Sequence, residues 1–458
     1  MSSSVSTSSL FNLPIAFIEQ IKDQFGESHA GRLSDLLNTP SPTTIRVNPK
    51  KVSDPQSVLD LPFDLSVNME GRSADGFVLR ERPLFTLDPH LHAGAYYVQE
   101  GSSMAIENQM EIYRSLWEES RDGKFRVLDL CAAPGGKSTH LLSMFRDCPG
   151  AMLVSNEVIR SRATILAENI TKWGGANVVV TNNDPADFQK FEYFFDLVVV
   201  DAPCSGEGMF RKDPASRDEW SPEHVVQCAA RQRRIVADIW PALRPGGVMI
   251  YSTCTYNHSE NGENLAWIAS ELGGEVLHSE QCFPGEKYGE GFFFGIVRKG
   301  GDAPHMVVKE PLRGAQIKPY KEGVEFVKQG YKLFRKGDLL KAYPSEVAED
   351  MVYAESNLRR VSAGCAVATI MEGAKGKSLV PEADLALSEA LKRGHFFEVE
   401  LSRGDALKFL RRESLAFPEA PKGYILLTYK DIPLGFVKNI GNRCNSLHPQ
   451  SRRIRMNI

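Results

Sequence analysis

The sequence predicts an α/β protein whose centre is a doubly wound parallel sheet, with a small α+β unit before it and a β-rich region after it. Two observations carry this. Five short, nearly continuous apolar runs, Val127 to Leu130, Met152 to Ser155, Val178 to Thr181, Leu197 to Val200 and Val248 to Tyr251, alternate with helical segments, as strands covered on both faces by crossover helices do. Acids then close three of these runs: Asp201 directly, Glu157 after Asn156 and Asp184 after Asn182-Asn183. That is the strand edge where such sheets hold ligands. The 458 residues suit about three folding units at roughly 150 residues each.

Taken in order, Leu13 to Leu37 shows helical apolar spacing through Ile15, Phe17, Ile18, Ile21 and Phe25, and Pro40 and Pro42 end it. Thr44 to Val47 and the alternating segments up to Leu87 read as strands, and a helix start near Gly101-Ser102-Ser103 closes a first domain, residues 1–118. Residues 119–302 hold the parallel sheet, with helices over Ser161 to Lys172 and Pro222 to Leu243. After a turn-rich linker at Gly300, Gly301 and Pro304, two β-rich units are expected at 303–385 and 386–458, the second carrying strands at Phe396 to Leu401 and Tyr424 to Thr428. No repeat of fixed period is present.

Hydrophobic residues at 42% and charged residues at 24%, with 37 Gly and 26 Pro, exclude a disordered or collagen-like chain. No apolar stretch reaches the ~18 residues of a membrane span, and the Ser-rich start, Met1 to Ser9, has neither a basic n-region nor an apolar h-region. An unexported, cytoplasmic protein with no membrane partner is therefore expected, and a monomer. Eight cysteines without a Cys-x-x-Cys pair fit a reducing compartment and argue against structural zinc or any other metal. The net charge of −4 argues against nucleic-acid binding through bulk charge. By region, however, residues 1–300 carry 28 Lys and Arg against 39 Asp and Glu, whereas 301–458 carry 26 against 19, so the last third is basic.

The first strand runs into Cys131-Ala132-Ala133-Pro134-Gly135-Gly136-Lys137-Ser138 and then a helix. A small-residue turn between strand and helix lets a ligand approach backbone N–H groups. It is not a phosphate loop, because the glycine required five positions before Gly136 is Cys131. Glu157 lies 28 residues after Asp129, where an acid accepts ribose hydroxyls. A single acid here is more often a cap or turn residue; Glu157, Asp184 and Asp201 together point to a nucleoside-bearing cofactor without phosphate, S-adenosylmethionine.

Two cysteines share that edge: Cys204 in Asp201-Ala202-Pro203-Cys204-Ser205-Gly206, and Cys254 in Ser252-Thr253-Cys254-Thr255. A lone Cys is usually a small hydrophobe. Two thiols beside a methyl donor suit methylation of pyrimidine carbon 5, where a thiolate first adds to carbon 6 to make an enamine, the enamine takes the methyl group, and loss of the carbon 5 proton releases the enzyme. The thiolate needs a lowered pKa or a base, and the target base must leave its stack. Composition does not choose which thiol attacks.

These motifs resemble those of the RNA 5-methylcytosine methyltransferases of the NOL1/NOP2/Sun type. The match runs through the Asp129 to Lys137, Asp201 to Gly206 and Ser252 to Thr255 motifs, with Arg46-Val47-Asn48, Gln99-Glu100-Gly101-Ser102-Ser103 and Glu290-Gly291-Phe292-Phe293. It spans about residues 10 to 300 and implies a Rossmann-like class I methyltransferase. The resemblance further implies that Cys131, Ala132, Ala133, Pro134, Gly135, Gly136, Lys137, Glu157, Asp184 and Asp201 bind the cofactor. It makes Cys254 the nucleophile, Cys204 the helper in product release, and Asp201 a catalytic contact to the amide edge of the ring. One departure is Gly262 between Asn261 and Glu263, where the family has Glu-Asn-Glu.

The C-terminal third resembles the extension of the ribosomal RNA small subunit methyltransferase F branch of that family, which ends in a PUA-like RNA-binding module. Gly330 to Gly337 and Gly435 to Arg443 carry this match. RNA-contact candidates are Arg46, Asn48, Arg211, Lys212, Lys438 and Arg443, with Arg452, Arg453 and Arg455 forming a basic end. The alternative for Arg211 and Lys212 is a surface charge cluster, and for the basic end a solvated tail. Lys137 either pairs with Asp201 or a nearby acid, or is solvated, and Arg162 either reaches the cofactor or covers its helix. The expected function is transfer of a methyl group to carbon 5 of a cytosine in 16S rRNA within the small ribosomal subunit, in the decoding region; a transfer RNA substrate and a non-catalytic assembly factor are the alternatives.

Overall fold

In the computed structural model, residues 13–301 and 320–456 are described, apart from 68, 70–72, 121, 214, 287, 374 and 375; the Ser-rich start and Pro304 lie outside the described residues. The five apolar runs form the parallel strands β4 (Phe125–Asp129), β5 (Ala151–Asn156), β6 (Val178–Thr181), β7 (Phe195–Asp201) and β8 (Leu243–Thr253). β9 (Gly274–Cys282) and β10 (Phe292–Lys299) join antiparallel, and with β13 (Arg360–Ala363) at the far edge the eight-stranded order is β13-β6-β5-β4-β7-β8-β10-β9. β4 through β6 are buried along their whole length, as continuous apolar runs require. The order reverses between β4 and β7, and that switch point opens a crevice at their carboxyl ends.

The helices that cover the sheet start and stop for local reasons. α4 (Gly136–Met144) begins behind Gly135, whose φ of +118° is a left-handed position. α5 (Arg160–Trp173) ends at Gly174, φ +99°. α6 (Pro222–Ile239) starts with the Ser221 hydroxyl accepting from His224 N and Pro222 at the first turn, and α7 (Gly262–Leu272) ends at Gly273, φ +67°. The expected extension of α6 to Leu243 fails: Pro241 interrupts the pattern, a short 3-10 turn intervenes, and Leu243 already opens β8.

The regions flanking the sheet do not form independent cores. The expected Leu13 to Leu37 helix is two, α1 (Ile15–Phe25) and α2 (Glu27–Leu37), because Gly26 takes φ +86° between them. Both pack on the loops around the two cysteines: the Phe17 ring lies 5.0 Å from Phe210 and 5.6 Å from Trp220. The three-stranded sheet β2-β1-β3 uses β1 (Thr43–Val47), β2 (Gly76–Leu79) and β3 (Tyr96–Val98). Its core residues Ile45, Val47 and Leu79 are continuous with Phe409, Ile425 and Leu427 near the C terminus. The closing helix starts later than expected, α3 (Met110–Glu118) following a 3-10 run from Ser102.

The C-terminal third holds two four-stranded sheets. One is β11 (Tyr331–Lys336), β12 (Leu339–Pro344), β14 (Cys365–Gly373) and β15 (Gly376–Pro381); the other is β16 (Phe397–Glu400), β17 (Gly423–Tyr429), β18 (Ile432–Asn439) and β19 (Cys444–Ser446). The unit expected at 303–385 is not self-contained. Between β12 and β14 the chain enters α8 (Ala348–Asn357) and β13 (Arg360–Ala363), which pairs antiparallel with β6 and so completes the edge of the central sheet. The buried Asp350 of α8 accepts from Arg126 at 2.8 Å and Lys124 at 3.1 Å, joining that insertion to β4. A cavity of about 380 Å³ lies where all these parts meet. Among its cations Lys50 pairs with Glu389 and Arg393 with Asp431.

Candidate active site

At the switch point Asp129 is fully buried. One carboxylate oxygen accepts from the Ser138 hydroxyl at 2.7 Å, and the other, Oδ1, has no protein partner. Burial, with the charges of Asp201 and Glu157 behind it, pushes this carboxyl up to about 7. The loop from Cys131 to Lys137 is held from α5: Arg162 donates to the Ala133 carbonyl at 2.9 Å and Asn169 to that of Pro134 at 2.8 Å. Arg162 thus covers the loop, and also approaches Glu157 at 3.5 Å. Glu157, itself buried, accepts from Ile159 N at 2.9 Å. Cys131 is an unreactive thiol, because burial raises its pKa strongly.

The structure brings Asp129, Glu157 and Asp201 to consecutive strand ends around this loop, as their sequence positions imply. Asp184 caps the following 3-10 turn, accepting from Ala186 N at 3.1 Å within a capping box with Asp187, so part of its carboxylate serves local structure. Lys137 pairs with Asp201 at 2.9 Å while lying 4.8 Å over the Phe292 ring. Burial lowers the lysine's pKa, but Asp201 outweighs it and the net shift is upward. Asp201 also accepts from the Ser252 hydroxyl at 2.9 Å.

The two thiols meet: Cys204 Sγ and Cys254 Sγ are 3.0 Å apart, both as free cysteines. The hydrogen bond to Cys254, then burial, raise the Cys204 pKa well above that of a free thiol. Cys204 therefore keeps its proton beside the Cys254 sulfur.

Three of the proposed RNA contacts turn out to be interior struts, because their polar groups are committed to partners within the protein. Arg46 is 0% exposed and its guanidinium donates to Gln99, Ser143 and Thr139 at 2.8, 2.9 and 2.6 Å while stacking 4.4 Å from the Trp173 ring. Asn48 caps the end of α5 by donating to the Trp173 carbonyl at 2.9 Å. The Arg211 side chain, 4% exposed, pairs with the equally buried Glu290, which also draws in Ser41. Lys212, 35% exposed, is 3.8 Å from Glu290. Lys438, over the Tyr424 ring at 5.4 Å, and Arg443 remain on the surface. Of the basic end, Arg452 is tied to Asp384 at 2.8 Å, whereas Arg453 and Arg455 are exposed.

Three family models match the chain in order: the N-terminal domain of 16S rRNA methyltransferase RsmF over residues 13–101, 16S rRNA methyltransferase RsmB/F over 116–273, and the methyltransferase RsmF PUA domain over 396–454. Along these three stretches the chain is similar to the RsmB/F methyltransferases. It is similar to the ribosomal RNA small subunit methyltransferase F of Pectobacterium atrosepticum, 29% identical with 96% of this chain and 95% of that protein covered. The Salmonella agona protein of the same name is also 29% identical, over 95% and 96%. Among solved structures, a methyltransferase homologue from Pyrococcus horikoshii matches with a TM-score of 0.52 at 23% identity, covering 64% of this chain and all of its own. An NSun6 from the same organism, crystallised with SFG, matches at 0.51 and 18% identity over the same shares.

S-adenosylmethionine is the cofactor of this methyltransferase. The residues present fit it. The orphaned Asp129 Oδ1 offers a buried acceptor for an ammonium, Glu157 an acceptor for ribose hydroxyls, and no phosphate-binding loop competes. Among the described residues no cluster suited to a metal ion is present and no helix is long and apolar enough to cross a membrane. The residue that sequence reasoning did not single out is Glu207, buried at the centre of the cysteine loops; its only signal was an acid between two glycines.

Proposed function

We propose that the protein methylates carbon 5 of a cytosine in 16S rRNA through a covalent adduct on Cys254. The observation that carries this reading is the pair of thiols 3.0 Å apart beside the Lys137–Asp201 ion pair. When bound, S-adenosylmethionine supplies an electrophilic methyl group. Cys254, as thiolate, attacks carbon 6 of the ring, and electron density moves to carbon 5. Asp201, fixed by Lys137 and Ser252, meets the amide edge of the base and stabilises the adduct.

The thiol pair gives the second half of the reaction its timing. While Cys254 is anionic, its hydrogen bond holds the proton on Cys204. Once Cys254 is a neutral thioether that hold is gone; Cys204 gives its proton to solvent and, as thiolate, takes the proton from carbon 5, the electrons of the carbon 5–hydrogen bond moving toward carbon 6. Cleavage of the Cys254–carbon 6 bond then returns the thiolate and frees the methylated base. The small-subunit names of the similar proteins support ribosomal RNA, and we place the target in the decoding region of the small subunit, with the protein acting as a monomer in the cytoplasm.

Cys254→Ala is expected to abolish methyl transfer, and Cys204→Ala to leave an RNA–protein adduct that survives denaturing electrophoresis. An adduct from Cys254→Ala together with loss of methyl transfer by Cys204→Ala reverses the two roles. Bisulfite sequencing of total RNA from a deletion strain identifies the molecule and the nucleotide; loss of a mark in transfer RNA instead of 16S rRNA sinks the substrate assignment.

A further inference from the structure

The two cysteine loops are fastened to each other by two buried carboxylates. Glu207, three residues after Cys204, is 0% exposed, and no cation lies within ion-pair distance of it among the described residues. Its Oε2 accepts from the backbone N–H groups of Tyr256 and Asn257 at 2.7 and 3.1 Å, the turn immediately after Cys254. Its Oε1 accepts from Asn257 Nδ2 at 3.0 Å, Trp220 Nε1 at 3.1 Å and Gln20 Nε2 at 3.0 Å. Glu260 reaches the other way: from the Cys254 loop it accepts from Ser205 N at 3.0 Å, the residue after Cys204. Asn257 Nδ2 bridges the two acids, lying 2.8 Å from Glu260 Oε1. Gly208 N donates to the Cys254 carbonyl at 2.8 Å, an approach that only glycine permits because a Cβ there would lie 2.9 Å from that oxygen.

We infer that Glu207 is a positioning residue for Cys254, fixing the nucleophile's turn against Cys204 and, through Gln20, against the first helix of the N-terminal region. A buried carboxylate accepting five N–H groups is costly to hold unless every donor is retained. Packing alone would not need it: the loop could be closed by apolar contacts like those of Phe17 and Phe210 beside it. What the five bonds add is direction. They orient two consecutive amides of the turn whose other end is Cys254, and a nucleophile displaced by about 1 Å loses on the order of 100-fold in rate. The inference rests on the assignment of Cys254 as nucleophile.

The test is the rate of adduct formation in a Cys204→Ala background, with RNA and S-adenosylmethionine saturating. Glu207→Gln keeps the volume but turns at least one acceptor site into a donor facing a donor, and is expected to slow adduct formation on the order of 100-fold while cofactor affinity by calorimetry stays within about two-fold. Because that variant can fail to fold, a Gln20→Ala and Trp220→Phe double substitution, which spares the backbone donors, is measured beside it and is expected to slow the same step by about 10-fold. Adduct formation at an undiminished rate in either folded variant overturns the inference. So does a rate that falls only in step with cofactor affinity, since that is general loosening of the site. If Cys204→Ala alone forms no adduct, the nucleophile assignment fails first, and the inference falls with it for that separate reason.

Discussion

Arg46 and Arg211 of the N-terminal half and Lys438 and Arg443 of the C-terminal third look alike in sequence and are placed oppositely. Arg46 and Arg211 are inside, each committed to partners in its own chain, whereas Lys438 and Arg443 face solvent. The difference teaches that a cation in a motif announces a fixed geometry, not a ligand. Burial decides whether the geometry belongs to the fold or to a bound molecule.

The strongest way to break this contrast is Arg46→Ala. It leaves Gln99, Ser143 and Thr139 short of donors and a guanidinium-sized void against Trp173, and thermal or denaturant unfolding is expected to show a loss of about 3 to 5 kcal/mol. Arg211→Ala strands the buried Glu290 and is expected to cost about 3 kcal/mol, with Glu290→Gln in the same chain restoring part of it; RNA affinity lost without any loss of stability would contradict the interior reading.

Acids sharpen the same comparison. Glu290 has its partners, whereas Asp129 has one oxygen without any. With its carboxyl raised to about 7 in the folded protein, against about 3.9 in an unfolded chain, Asp129 holds a proton below neutrality. The stability it confers is complete below about pH 4 and declines as pH rises toward 7. Binding of the cofactor's ammonium favours the ionised form, so cofactor affinity should rise with pH up to about 7. Calorimetry at pH 6 in buffers of different ionisation enthalpy should detect proton release, and Asp129→Asn should remove it. The smallest effects belong to the surface: Lys438→Glu and Arg443→Glu should leave stability within about 0.5 kcal/mol. They should weaken RNA binding and lower the slope of log affinity against log salt by about 1 each.

Sequence made the site's chemistry legible because strand direction is legible. Once Val127 to Leu130, Leu197 to Val200 and Val248 to Tyr251 are parallel neighbours, Asp129, Asp201, Cys204 and Cys254 are forced to one edge. The Lys137–Asp201 pair was one of two open readings for the same reason. Burial of Arg46 was not legible, since its partners lie 53, 93 and 97 residues away. Nor was β13, a four-residue strand with two exposed positions, whose identity comes from pairing with β6 rather than from its own pattern. Glu207 lay between these cases. Its neighbours Gly206 and Gly208 signalled a tight loop, but only the distant turn at Tyr256 explains the acid.

That short strand has a consequence for how such a protein can evolve. A chain stopped at residue 301 would keep every cofactor and thiol residue, yet would leave the β6 edge open and Arg126 buried without Asp350. An open apolar edge recruits other chains. The RNA-binding third therefore cannot be traded away as a detachable module: loss or exchange of it by recombination must carry α8 and β13 along, or bring a new cover for that edge.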